Sequence, residues 1–136
     1  MEPALQDKML PRSPYRGPQG GVDIGGLCSL LDFDQSTLAK MIGVSRQAVS
    51  QQLKSKSQFV RPKSPAARKF LEDLNHVVDL LLALTDGSNS EEEIRLWLHS
   101  PNKALDRKAP IDLIKARNLA PLRRALMDAI TAAHGS

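Results

Sequence analysis

The stretch Gln35 to Leu53 constrains this chain most, because its spacing is what two helices joined by a tight turn require. Ala39 supplies a small residue where such helices touch most closely. Gly43 can take the positive φ that ends the first helix without a Cβ penalty. Leu38, Ile42, Val44 and Val49 form the apolar wedge between the helices. Ser45 is placed to cap the second helix through its hydroxyl. The pattern reads as a helix-turn-helix with a DNA-reading helix that begins near Arg46.

At 100° per residue, Arg46, Gln47, Ser50, Gln51 and Lys54 fall within one arc of about 140°, while Ala48, Val49 and Leu53 face the other way. Gln52 falls inside the apolar arc and belongs at its rim. Arginine can grip guanine with two hydrogen bonds and glutamine can do the same with adenine, so the polar arc has base-reading chemistry. Together with Gln35 at the start of the first helix and Lys56 beyond the second, these residues form the expected DNA-contacting set. A polar face of this kind also suits simple solvent exposure. It is the joint occurrence with Ala39, Gly43, Val44, Ser45 and Val49 that favours a reader.

Charge by segment points to the same place. Residues 1–31 carry three basic and three acidic side chains, residues 65–136 carry ten of each, and residues 32–64 carry six basic against Asp32 and Asp34. The whole formal charge of +4 therefore sits around the expected reader. Lysine and arginine there can neutralise phosphates, the main source of non-specific DNA affinity. A few surface lysines also serve plain solubility.

With 136 residues, the chain has room for one domain or two very small helical ones sharing a core, and a large enzyme is excluded. It has one Trp and one Tyr and many Ala and Leu, which suits an all-α fold packed through aliphatic contacts, with almost no sheet. Cys28 has no partner for an internal disulfide, and His76, His99 and His134 are too scattered for a metal site. A soluble, cytoplasmic protein without cofactor is expected, since no apolar run approaches a membrane span or the core of a secretory signal. No nucleophile and base fall into a recognisable frame, and no phosphate-cradling glycine motif occurs, so catalysis is not expected.

Three parts are expected. Residues 1–21, rich in Pro and Gly, read as a flexible tail; Arg12, Tyr15 and Arg16 in it also suit a groove-reaching arm. Residues 22–63 hold the helix-turn-helix, with a first helix at Ile24 to Leu31 weakened by Gly25 and Gly26. Residues 64–136 form a second helical part. In it Ser64-Pro65 opens a long helix whose Phe70, Leu71, Leu74, Val77, Val78, Leu81 and Leu82 recur at three- and four-residue intervals, with a stop at Asp86-Gly87. Ser90 with Glu93 makes a capping box for a short helix through Trp97. Pro110 starts a helix to about Arg117, and Pro121 a last one to about Ala133.

The elements Trp97-Leu98, Pro101-Asn102, Leu105 and Pro110-Ile111-Asp112-Leu113 resemble, in order and nearly in spacing, the signature of antitoxins of the Xre/MbcA/ParS type. The likeness runs from about Ile24 to the C-terminus. Two departures stand out. A glycine usual between the Leu and the Pro is replaced within Asp106-Arg107-Lys108, and a later glycine-containing turn reads Asn118-Leu119-Ala120-Pro121, where Asn118 is suited to a left-handed conformation. The resemblance implies a helix-turn-helix followed by a small helical toxin-binding domain. It further implies a cognate toxin partner with a RES domain or ADP-ribosyltransferase-like activity, acting on NAD, which the antitoxin covers while repressing its own operon.

On this resemblance the expected toxin-facing residues are Trp97, Pro101, Asn102, Arg117, Arg123 and Arg124, with His134, Gly135 and Ser136 in a tail that enters the toxin's cleft. Trp97, Leu105 and Leu113 equally suit a buried helical core, and Asn102 and Asp112 suit backbone capping. Double-stranded operator DNA is the second expected partner, bound by a homodimer whose two readers meet half-sites about one helical turn apart. The rival reading is a stand-alone transcription regulator whose C-terminal half only dimerises.

Overall fold

The computed structural model describes residues 13–17, 21–32, 34–43, 47, 59–85 and 90–134. Two compact units divide the chain, one spanning Pro14–Asn75 and the other His76–Ser136 with Met1–Ser13.

The first unit begins with a small antiparallel ribbon. Val22–Asp23 (β1) pairs with Phe59–Val60 (β2), Val22 opposite Val60 and Asp23 opposite Phe59. Ser13 to Gly17 fall within the stretch read from sequence as a tail. Arg16 bridges to Val22, the Asp23 amide donates to the Tyr15 carbonyl at 2.8 Å, and Arg16 pairs with Glu72 at 3.0 Å. The Arg16 side chain is thus engaged within the protein.

Ile24–Leu31 (α1) has the bounds the sequence predicts. Its cap is Asp23, whose Oδ1 accepts the Gly26 amide at 3.0 Å, and it closes on Asp32 in a left-handed conformation. The two glycines are tolerated because one of them is required. A Cβ on Gly26 would come within 2.6 Å of both the Tyr15 ring and the Asp23 carboxylate. Ile24, Leu27, Leu30 and Leu31 are fully buried, and α1 packs on Gln35–Met41 (α2).

Pro65–Thr85 (α3) starts as its sequence requires: Ser64 Oγ accepts the Ala67 amide at 3.3 Å, and proline occupies the first turn. The expected apolar stripe is buried at Phe70, Leu71, Leu74, Val77, Val78 and Leu81, but Leu82 is only partly so. Burial also extends beyond one stripe, to Asn75, Asp79 and Leu80. The polar pair is accommodated by hydrogen bonding, as buried polar groups require. Asn75 donates to the Leu71 carbonyl at 3.2 Å, and Asp79 accepts the Ser13 amide.

The second unit continues with Ser90–Leu98 (α4), a 3-10 turn at Lys103–Leu105, Pro110–Lys115 (α5) and Ala120–His134 (α6). Its core is made by Val77, Val78, Leu80, Ile94, Leu98, Ile114, Leu122 and Leu126. The chain is helical apart from the ribbon among the described residues, as the all-α expectation had it. No described helix is long and apolar enough to cross a membrane.

Candidate functional site

The expected DNA-reading region begins on α2. Asp34 takes the extended conformation before it and makes no side-chain cap bond, so this helix is held by packing instead: Leu38, Ala39, Met41 and Ile42 are buried. The Ile42 amide donates to the Leu38 carbonyl at 3.1 Å, and the Gly43 amide donates to the Lys40 carbonyl at 3.2 Å. Gly43 then has φ of +71° with open space where a Cβ would stand. Glycine is suited here by backbone conformation, not by crowding. Gln35 and Lys40 are exposed on this helix. Of the expected second helix only Gln47 is described, in helical backbone and exposed. Val44, Ser45, Arg46, Val49, Ser50, Gln51, Lys54 and Lys56 lie outside the described residues.

The expected toxin-facing region spans α4 to α6. Helix α4 carries Glu91, Glu92 and Glu93 in its first turn, where the macrodipole favours acids, and Arg95 reaches Glu91 at 3.4 Å. Ile94 and Leu98 point into the core while Leu96 is 72% exposed. Trp97, expected to face the toxin or to fill the helical core, is partly buried. The helix ends as Ser100 Oγ donates to the Leu96 carbonyl at 2.6 Å, and Pro101 stands exposed after it.

Asn102 organises the following loop, in the capping role the sequence predicts. Its Oδ1 accepts the Ala104 amide at 2.9 Å, its carbonyl accepts the Leu105 and Arg107 amides at 3.0 and 2.8 Å, and its amide donates to Lys108 at 3.1 Å. These bonds fold residues 102–108 into a tight loop anchored by buried Leu105. Asp106 and Arg107 both adopt left-handed backbone, with φ of 56° and 65°. They occupy the stretch where the sequence resemblance leads to the expectation of a glycine.

Pro110 sits buried in the first turn of α5, and Ile111, Leu113 and Ile114 are buried behind it. Asp112 lies exposed in that first turn, but no side-chain bond caps the helix, so the capping role predicted for it falls instead to charge near the positive helix end. At the other end the Arg117 amide reaches Ile114 at 3.0 Å and the Asn118 amide reaches Leu113 at 2.8 Å. This bond pair defines a Schellman closure with its left-handed position at Arg117, φ 60°. The sequence reading had put that conformation at Asn118, one residue too late.

Arg117 and Arg124 are exposed, and Arg123 is partly buried. His134 is the last residue of α6, and Gly135 and Ser136 lie outside the described residues. Met127, 46% exposed, was missed by the sequence reading, as was Leu96. Nothing in their spacing separates them from core positions. Among the described residues no group of three potential metal ligands occurs. Burial, with lesser contributions from Asp34 and Asp23, pushes the Cys28 thiol up to about 12, so it stays protonated and unreactive at neutral pH.

No curated protein and no solved structure matched the chain. Residues 80–127, which run from the second half of α3 through the Asn102 loop into α6, match the family model of the antitoxin Xre/MbcA/ParS C-terminal toxin-binding domain.

Proposed function

We propose that this protein is the antitoxin of a toxin-antitoxin pair, binding its cognate toxin through the C-terminal unit and repressing its own operon through the helix-turn-helix. The observation that carries the reading is the match over residues 80–127, whose signature residues Trp97, Pro101, Asn102, Leu105 and Pro110 build one packed unit. The toxin is of RES type or ADP-ribosylating, in keeping with the family resemblance, and its active site is covered rather than chemically altered. Support for the contact surface comes from Leu96 and Met127, large apolar side chains turned to solvent on the matched domain. With Trp97, Pro101, Asn102 and the C-terminal residues His134, Gly135 and Ser136, they form the toxin-facing set.

On the DNA side, support comes from α2 and its Gly43 corner, which have the burial and the positive φ that a helix-turn-helix needs at those positions. Two copies present two readers to a two-fold operator.

Co-expression with the product of the adjacent gene tests the reading. The full chain rescues growth and co-purifies with that product, and a chain altered at Leu96→Asp and Met127→Asp does neither while keeping its helical content. If the wild-type chain neither rescues nor co-purifies, yet still binds a promoter, the protein is a stand-alone regulator whose C-terminal half dimerises.

A further inference from the structure

Residues 61–71 hold four basic side chains, Arg61, Lys63, Arg68 and Lys69, and no acid. The structure gathers three of them. Val60 and Pro62 are buried while Arg61 and Lys63 are exposed, so the chain leaving β2 turns both cations outward. Arg68, exposed one turn into α3, folds back over the same segment, its Nε donating to the Pro62 carbonyl at 2.8 Å. Its guanidinium therefore stands beside the residue that separates Arg61 from Lys63. Among the described residues no ion pair engages any of the three.

Arg68 has a natural competitor for its position, and the fold removes it. Glu72 lies four residues further along α3, the spacing at which opposite charges on a helix meet. It is taken instead by Arg16, at 3.0 Å, whose side chain is only 15% exposed. The next acid, Asp73, pairs with Lys69 at 3.1 Å. Both acids nearest the cluster are thus engaged by other cations.

We propose that Arg61, Lys63 and Arg68 form a phosphate-binding surface for duplex DNA, separate from the reading helix, and that Arg16 is a positioning residue that keeps Arg68 available by holding Glu72. The inference rests on the DNA-binding reading of this unit and adds contacts without base preference. A protein occupant fits less well, because the centre of a protein interface is depleted in charge and rich in apolar side chains. Among the described residues the exposed large apolar side chains, Leu84, Leu96 and Met127, all belong to the other unit. Cations alone are what backbone contacts to phosphate use.

The test measures binding of the full chain to a labelled short duplex of scrambled sequence, by anisotropy across a salt series. Each phosphate contact contributes about 0.9 to the slope of log K against log salt, so Arg61→Gln, Lys63→Gln and Arg68→Gln together lower that slope by about 2 to 3. Arg16→Gln alone lowers it by about 1, because Glu72 then draws Arg68 away, and adding Glu72→Gln restores it. A control removes as many charges at Lys103, Lys108 and Arg124 and leaves the slope nearly unchanged. The triple variant alters only exposed side chains, so it decides the surface even where Arg16→Gln costs helical content. An unaltered slope in the triple variant overturns the proposal, as does an equal fall in the control. If that variant still prefers an operator over its single-base variants, the reader stands and only this surface falls. A wild-type chain that binds no duplex at any salt removes both. An Arg16→Gln loss that Glu72→Gln does not restore overturns the positioning role.

Discussion

The Asn118 amide donates to the Leu113 carbonyl at 2.8 Å, and the intervening Arg117 makes this possible by taking φ of +60°. A helix closed this way ordinarily has glycine at the left-handed position, since any Cβ there meets the following carbonyl. The chain tolerates arginine because Leu113 and Ile114, which supply the two acceptors, are fixed in the core.

Backbone strain at this corner can be read from a pair of substitutions. Arg117→Gly and Arg117→Ala both remove the side chain, but only glycine relieves the left-handed conformation. That relief is worth about 1–2 kcal/mol, and the greater freedom of glycine in the unfolded chain offsets about 0.4–1 of it. Urea unfolding should find the glycine variant more stable than the alanine variant by about 1 kcal/mol. Equal stability of the two would show that Arg117 stores no strain.

Glycine in a helix interior ordinarily gains about 1 kcal/mol on replacement by alanine. Gly26→Ala should instead destabilise by about 1–3 kcal/mol, because the new methyl meets the Tyr15 ring and the capping Asp23 carboxylate at 2.6 Å. Repeating the substitution in a Tyr15→Ala background should shrink the loss, and the difference between the two backgrounds gives the coupling. Simple additivity would place the clash elsewhere.

For the proposed reader, Arg46→Ala and Gln47→Ala each lose about 1–3 kcal/mol against the preferred base and little against others, whereas Lys56→Ala weakens all sequences alike. Binding to an operator and to single-base variants of it separates the two classes. A uniform loss for all three substitutions would remove base readout from this helix.

Cys28 gives the fold a pH dependence of known sign. Burial raises its thiol from the ordinary cysteine value of about 9.0 to about 12 in the folded protein. The folded state therefore holds the proton more tightly, and this contribution is intact below pH 9 and lost as pH rises toward 12. Denaturation midpoints of the wild type should fall more steeply than those of Cys28→Ala across that window. Parallel curves would mean that the thiol is solvated. At neutral pH the native protein should resist thiol-directed reagents until it unfolds.

Where signals were local, the residues announced the structure. The Ser64-Pro65 start and the Pro110 start act within a turn of their own backbone, and α3 and α5 begin where those signals stand. The apolar stripe of α3 is likewise visible, because a helix repeats every 3.6 residues whatever surrounds it. At the candidate sites less could be read. Asn102 was identifiable as a capping residue, but its carbonyl's two acceptor bonds depend on the path of the loop.

Composition, capping residues and apolar periodicity thus determined a mostly helical fold among the described residues and several of its helix starts, since these are short-range preferences carried by each segment alone. Tertiary structure alone decided that Asp79 is buried against Ser13, that Gly26 must lack a side chain beneath Tyr15, that Leu96 faces solvent between buried Ile94 and Leu98, and that Arg107 and Arg117 take left-handed backbone. Each of these depends on atoms that the chain brings together from a distance or on a core that forces a local conformation against its own preference. Energies of that kind are set by the packed neighbours, and no window of sequence contains them.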